Sequence, residues 1–429
     1  MTKRTVVILC VITIVAAGLA CGYACGRKEA ATAEFELSNL AISPTEVEIG
    51  QAVTVTVDVE NVGEVAGTKT LTLKVDGVEV ETRDVEVEGG KTETASFTLV
   101  PDAEGTYSIE IDGLSGSVTV KAPAVEGTVF EDRNVNKQRD ADEPGLANVL
   151  VSNGITVTIT DEAGNYYLPL EGYFVFVTTP GDYIATTPWY QSIAEEELNF
   201  GLAPAPEKDR DEFTFVQMTD VHLDTMSEHG ALFDQAVEEI EEIAPAFVMV
   251  TGDLVNGADG ATISQAEEWF DAYENSISQL EIPVYHALGN HDVVGIHAGV
   301  AENEPGYNEE MFRRYFGPTY YSFDWGPYHC VVLDPNEWVD EAQFYRIPDY
   351  ELEWLQQDLA HREGKPLLVF FHEPTTSWQN RTEVLDLLKE YQSTLFSGHW
   401  HFDVLMDSQG IFRAGDWCSV RGVVVWSRL

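Results

Sequence analysis

Along the chain, the spacing of apolar positions changes character three times. A charge-free apolar run over 5–20 follows Lys3 and Arg4. From Glu34 to about Lys121 apolar and polar residues alternate with period two, as in QAVTVTVDVENVG (51–63) and TKTLTLKVDGVEVETRDVEVEGG (68–90). Such alternation puts every second side chain on one face, as a half-buried strand requires. Asp76-Gly77 and Gly89-Gly90 supply the hairpin turns. About seven short strands at this spacing predict a β-sandwich over 34–122. A second strand-rich module follows over 123–203, and the Ala- and Pro-rich stretch APAPEKDRDE marks a linker at 204–212. After Phe213, short continuous apolar runs (FTFVQMT, AFVMVTG, IPVYHALG, HCVVLD, LLVFF, TLFSG) alternate with helical stretches such as LFDQAVEEIEEI and DYELEWLQQDLAHRE. Buried strands alternating with helices predict an α/β domain over 213–429, with ligands gathered beyond the strand carboxyl ends. The chain is therefore expected to be multidomain, with two all-β sandwich modules followed by an α/β domain.

Residues 1–29 have the form of an export leader. The apolar run is shorter than the roughly 20 residues a spanning helix needs, and it ends in small residues. Cys21 after Leu19-Ala20 resembles a bacterial lipobox, with Gly18 where a larger aliphatic residue is usual; Cys25 is the second candidate. The expected location is extracytoplasmic, anchored by a lipid on Cys21 or by an uncleaved apolar segment, with a plain cleaved signal as the alternative. Of five cysteines, Cys10, Cys21 and Cys25 lie in this leader. Cys330 and Cys418 make either one bridge or two buried thiols, and neither amounts to a disulfide framework.

Composition narrows the partners. Over 429 residues, 73 Asp and Glu face 24 Lys and Arg, for a net charge of -49. That balance argues against nucleic acid and against an electrostatic hold on anionic lipid headgroups, and it favours bound cations. A hydrophobic fraction of 44% is enough for buried cores.

Two patterns carry candidate chemistry. In GTVFEDRNVNKQRDADEPG (127–145), Asp132, Asn134, Asn136, Asp140 and Glu143 fall at positions 1, 3, 5, 9 and 12 of a calcium-loop scheme. Lys137 occupies the position that scheme gives to Gly, and no helices flank the loop, so a helical EF-hand is excluded. The choice lies between calcium and an acidic, solvated turn. The second pattern is five clusters, each just past an apolar strand: DVH (220–222), GDLVN (252–256), GNHD (289–292), FFHEP (370–374) and GHWH (398–401). Any one alone is weak, since GD and GN commonly mark turns. Together they hold five of the ten histidines, namely His222, His291, His372, His399 and His401. In GHWH the two imidazoles are spaced to face one way on a strand.

The order D-x-H, GD-x-x-D/N, GNH-D/E, a lone His, then GH-x-H resembles the calcineurin-like metallophosphoesterases over 213–426. The resemblance implies a four-layer α/β sandwich and two metals. It makes Asp220, His222, Asp253 and His401 ligands of one metal. Asp253, Asn290, His372 and His399 are then ligands of the other, with Asp253 bridging. His291 is similar to the family's non-ligand histidine beside the scissile group. Two divalent ions about 3.5–4 Å apart hold a bridging hydroxide and clamp the phosphoryl oxygens. Mixed imidazole and carboxylate ligands suit Mn, Fe or Zn. One departure stands out: Asn256 sits where an Asp often pairs with the catalytic histidine, so either Asn256 acts by hydrogen bonding or Asp292 contributes. The tyrosine-ligand variant of the purple acid phosphatases is not matched. Upstream, 37–120 with its VDVENVG resembles the CARDB domain of bacterial and archaeal surface proteins, an immunoglobulin-type sandwich. The segment 123–203, with TDEAGNYYLP at 160–169, resembles adhesin B-type repeats and the N-terminal domain fused to calcineurin-like phosphoesterases.

The resulting expectation is a dinuclear-metal enzyme hydrolysing a small phosphomonoester or phosphodiester outside the cytoplasmic membrane, with surface partners for the β modules. The rival is a surface adhesion protein whose C-terminal domain is scaffold only. The C-terminal domain is the most acidic part of the chain, so two divalent cations must invert the local potential where phosphate binds. Other residues receive structural readings: His286 and His329 in a core or crevice, His229 and His361 on solvent-facing helices, His297 in an ordinary loop. Arg313 and Arg314 read as a mixed-charge helix face, and Trp417 and Arg421 as packing.

Overall fold

The computed structural model describes residues 32–401, apart from 196, 211, 225–228, 340, 341 and 363, together with the short strands Val6–Val7, Met406–Ser408, Ile411–Ala414 and Val424–Trp426. Cys10, Cys21, Cys25, Trp417, Cys418 and Arg421 lie outside the described residues. The chain forms two compact units, 1–123 and 124–429.

In the first unit the period-two pattern becomes two sheets. Strands Phe35–Ser43, Val53–Asn61 and Thr92–Pro101 pair antiparallel, and Glu46–Glu48, Gly67–Val75, Val78–Val87, Gly105–Ile111 and Leu114–Lys121 form the other sheet. Val53, Val55, Val57 and Val59 all face the core with Phe97, Leu71, Leu73 and Ile109. Asp76 and Gly77 both have positive φ, as the predicted two-residue hairpin needs. The VENVG signature is explained by Asn61, which is fully buried. Its amide donates to Val65 O and Val87 O at 2.8 and 2.9 Å, and its Oδ1 accepts from Glu34 N and Gly63 N. A side chain that satisfies four backbone groups closes the strand end.

The second unit begins with a sandwich of two four-stranded sheets over 124–204. Its core contains Val129, Val151, Leu168, Val175, Phe200 and Leu202. The α/β domain follows. One of its sheets orders Val284–Ala287, Val248–Thr251, Phe215–Met218 and Val424–Trp426; the other orders Tyr321–Trp325, Tyr328–Val332, Leu367–Phe370, Ser393–Phe396, Ile411–Ala414 and Met406–Ser408. Phe215 and Met249 join Val332, Leu368, Phe370 and Phe396 in one core, whereas Val216, Met218, Val248 and Val250 face Phe233, Phe270 and Tyr273 of helices His229–Ile243 and Ile263–Ile277. Alternate residues of one strand thus serve two layers, which is why these strands read as continuous apolar runs. Helices Asp349–Ala360 and Arg381–Leu388 complete a four-layer α/β sandwich through Trp354, Leu355 and Leu388.

The expected linker at 204–212 is not an independent tether. Lys208 is buried, donates Nζ to Tyr183 O and lies 4.1 Å over the Trp325 ring, with its pKa pulled down to about 8 by burial. The second β domain also shares a core with the α/β domain. Phe176 packs with Phe323 and Trp354, Trp354 Nε1 donates to Ser152 Oγ at 3.1 Å, and Asp324 N donates to Thr179 O. No helix among the described residues is long and apolar enough to cross a membrane.

Candidate metal centre

Five strands end just before the five clusters. Phe215–Met218, Val248–Thr251 and Val284–Ala287 run parallel in one sheet, and Leu367–Phe370 and Ser393–Phe396 run parallel in the other. Their carboxyl ends therefore deliver Asp220, Asp253, Asn290, His372 and His399 to one edge of the sandwich.

Three groups of ligand atoms converge there: Asp220 with His222 and His401; His222 with Asp253 and His291; and Asp253 with His372 and His399. His222 Nε2 and His401 Nε2 lie 3.2 Å apart, and they stand 3.7 and 3.1 Å from Asp220 Oδ1. Asp253 Oδ2 is 3.0 Å from His372 Nε2 and 3.7 Å from His222 Nε2, so it faces both halves of the cluster. Asn290 Oδ1 lies 2.8 Å from His399 Nδ1.

The backbone here is unusual. Among the described non-glycine residues with positive φ are Asp220 (51°), His222 (47°), Asp253 (52°), His399 (80°) and His401 (54°). The left-handed region costs about 1–2 kcal/mol per L-residue, and such strain persists only where the surroundings over-determine it. The motif glycines have a steric reason. Gly252 has φ +86°, and a Cβ there would meet the His372 ring at 2.6 Å; one on Gly398 would meet Thr219 Oγ1 at 2.0 Å.

The electrostatics demand positive charge. Asp220 and Asp253 are buried, and neither pairs with Lys or Arg among the described residues. Burial alone would raise both, yet the surrounding imidazoles outweigh it and hold both below the usual carboxylate range. Burial would depress His372, but Asp253 and Asp220 lift it well above free imidazole. His399, by contrast, is pulled down to about 4 by burial and by His372, which leaves its ring neutral with a lone pair to offer. His372 Nδ1 sits 2.7 Å from Thr251 O, a carbonyl that only accepts, so Nδ1 carries a proton and Nε2 is the nitrogen that a cation, displacing the ring's second proton, would take. That Nε2 is buried and makes no hydrogen bond despite facing Asp253. Two donor atoms held 3.0 Å apart fit neighbouring positions around one cation.

His291 Nδ1 faces Asp259 Oδ1 at 3.2 Å, a partner the motif did not mark, while Asp292 adds a smaller electrostatic contribution. Asn256 Nδ2 instead donates to Asp224 Oδ2 at 2.7 Å. Asp292 is fully buried and accepts from Leu254 N, Val255 N and Gly289 N, tying the GDLVN loop to GNHD; burial and Asp253 push its pKa up to about 7. The Asp259 contact raises the pKa of His291 above its ordinary value. Asp259 arises from a turn three residues past Asn256, a displacement that motif matching passes over. Tyr345, whose ring lies 5.6 Å from that of His399, was marked by no sequence signal.

In the loop 132–143, Asp132 is buried and accepts from Asn136 N and Lys137 N. The amides of Asn134 and Asn136 donate to Asp140 Oδ2, and Glu143 accepts from Arg133 N and Asp140 N. Lys137 has φ +67°, the conformation expected of the Gly it replaces. The three carboxylates are not among the groups within 4.8 Å of one another. His329 is buried between Asp324 and Asp358, His286 stacks on Phe316, and His361 is exposed. Cys330 is a buried free thiol.

Residues 213–403 match the calcineurin-like phosphoesterases, 133–204 match the N-terminal domain of that family, and 33–113 match CARDB. The C-terminal domain is thus similar to the calcineurin-like phosphoesterases, and it follows segments similar to that family's N-terminal domain and to CARDB. Among curated proteins, the chain is similar to the uncharacterized protein YvnB of Bacillus subtilis, at 22% identity over 289 residues, covering 64% of this chain and 22% of that protein. It is also similar to the serine/threonine-protein phosphatase CPPED1 of Danio rerio, at 28% identity over 208 residues, covering 43% of this chain and 62% of that protein. The chain therefore spans less than two thirds of either relative. A dimetal phosphatase structure from Danio rerio aligns with 47% of this chain and 86% of its own, at 16% identity and a TM-score of 0.39.

Proposed function

We propose that this protein is a dinuclear-metal phosphoesterase that hydrolyses a small phosphomonoester or phosphodiester outside the cytoplasmic membrane. The observation that carries the reading is the buried, unbonded His372 Nε2 facing Asp253, among ligands of which Asp220, His222, Asp253, His399 and His401 sit in left-handed backbone. Asp220, His222, Asp253 and His401 would hold one cation, and Asp253, Asn290, His372 and His399 the other. When bound, two divalent ions supply an activated water and neutralise the phosphoryl oxygens; Mn, Fe and Zn suit this donor set.

The chain's own residues do the rest. Asp259 orients the His291 ring through Nδ1, which leaves Nε2 to carry a proton toward a leaving oxygen. The His291 side chain is 39% exposed whereas His372 is fully buried, so substrate meets His291 at the rim of the site. The acidic exterior disfavours long polyanions and supports a small ester. Display outside the membrane rests on the basic and apolar leader, with Cys21 as the lipid acceptor.

Hydrolysis of p-nitrophenyl phosphate and bis-p-nitrophenyl phosphate with added Mn²⁺ tests the reading and separates mono- from diesterase. His399→Ala should lose bound metal and turnover together. No cleavage of either ester, with no metal on the purified chain, would leave the scaffold-only adhesion reading in its place.

A further inference from the structure

We propose that a cleft between the second β domain and the phosphoesterase domain binds an acidic saccharide. The cleft has a volume of about 1330 Å³, and its walls come from the 137–139 loop, residues 173–174 and 187–192, and helix Glu310–Phe316. Both walls belong to one compact unit, and none of the metal-centre residues lines the cleft.

Charge is the first observation. Acidic residues outnumber basic ones 73 to 24 in this chain, yet among the described residues four cations (Lys137, Arg139, Arg313 and Arg314) line the cleft beside the carboxylates Glu195, Glu197 and Glu310. The only basic residues between 124 and 206 are Arg133, Lys137 and Arg139, and two of these three face this space. Lys137 and Arg139 are exposed, and neither is in an ion pair among the described residues. Arg314 pairs with Glu267 at 3.2 Å, but with both side chains more than 40% exposed, a contact an incoming anion readily replaces. Arg313 is tied to Glu309 and stacks on Tyr173.

Aromatic surface is the second. The Tyr173 ring is 66% exposed, with the Arg313 guanidinium 4.4 Å from its centroid. Phe174 and Tyr190 meet edge to face at 5.4 Å. Tyr190 is seated on Gly317, where a Cβ would come within 2.5 Å of its ring, so the floor of the cleft is fixed to the phosphoesterase domain. A pyranose presents C–H bonds to an electron-rich phenol ring and turns its hydroxyls outward. Gln138, Gln191 and Asn199 offer amides to such hydroxyls, and the cations offer partners for a carboxylate or sulfate. The volume exceeds the roughly 300–1,000 Å³ of ordinary small-molecule pockets, which suits a short oligosaccharide.

Calorimetric titration of the full chain tests this, with tetragalacturonate, a heparin-derived tetrasaccharide and neutral maltotetraose as probes. The acidic sugars should bind, with maltotetraose at least about tenfold weaker. Affinity should fall between about 50 and 500 mM NaCl as screening grows. The stronger arm identifies carboxylate or sulfate as the recognised group. Arg139→Glu and Tyr173→Ala should each weaken binding by about tenfold or more while leaving the melting temperature unchanged. Absence of saturable binding by both acidic sugars, equal binding of the neutral one, or indifference to both substitutions would overturn the proposal. Binding is read without turnover, so its failure is distinct from failure of the phosphoesterase reading.

Discussion

His372 Nε2 stands 3.0 Å from Asp253 Oδ2 without a hydrogen bond between them, and both side chains are buried. Thr251 O holds the ring from its other nitrogen, so the approach is imposed by the fold and not chosen by the pair. His372→Ala should therefore strip metal from the protein and reduce turnover by more than the about 10–100-fold typical of losing a supporting residue around a metal. Gly252→Ala should do the same without touching a ligand, because its Cβ would enter the His372 ring. Metal content by mass spectrometry and steady-state turnover are the readouts; full metal occupancy in either variant contradicts the assignment.

Asp259 acts through His291 alone, since its carboxylate contacts the ring at Nδ1 and belongs to none of the metal-competent groups. Asp259→Asn should lower kcat by about tenfold or more, with KM and bound metal little changed. Asn256→Ala should have a smaller effect on kcat, because that side chain bonds to Asp224. If the two variants rank in the opposite order, the pairing of His291 is not the one described.

The second unit contains a buried ion-pair network away from the candidate metal centre. His329 Nδ1 meets Asp324 Oδ1 at 2.7 Å and Nε2 meets Asp358 Oδ2 at 2.6 Å, while Lys365 Nζ reaches Asp324 Oδ2. Burial alone would depress His329, but Asp358 and Asp324 raise its pKa to about 10. A raised folded pKa means that stability is fully present below the unfolded value near 6.5 and is lost as pH climbs through about 10. Asp324 is shifted the other way, burial being outweighed by His329 and Lys365, so its contribution is present above 3.8 and lost as pH falls through its lowered value. Denaturation midpoints should form a plateau between these limits. His329→Gln should cost about 3–5 kcal/mol at neutral pH, because it leaves the buried Asp358 carboxylate without a cation and Asp324 with Lys365 alone, and should flatten the alkaline decline. An unchanged alkaline limb in that variant would show that another group controls it.

The loop 132–143 can be assayed by itself. With five oxygen side chains on the calcium-loop positions and Lys137 already in the left-handed conformation, added Ca²⁺ should raise the melting temperature of the chain. Asp132→Ala should abolish the increase. A melting temperature indifferent to Ca²⁺ and to chelator identifies the loop as a hydrogen-bonded turn built on Asp132 and Asp140.

Much of this architecture was legible in one dimension. Strand alternation identified the first sandwich because Val53, Val55, Val57 and Val59 alternate with polar neighbours, and period two is a local property of the backbone. The five clusters were equally visible, since each apolar run ends near a candidate ligand residue and parallel strands carry their carboxyl ends to one edge. Contacts between segments far apart in sequence were not. The partner of His291 depends on how the turn after Asn256 folds back, and that put Asp259 where a motif would place residue 256. Likewise, Phe176 and Trp354 carry no mark that they share a core, and an apparent linker proved to hold a buried lysine. The sequence by itself determined which residues can bind metal and on which strands they ride, because hydrophobic period and ligand chemistry are written residue by residue. Tertiary structure alone decided which imidazole faces which carboxylate, and it assembled the cationic cleft in an acidic chain, because distances of a few ångströms between remote segments are set by packing.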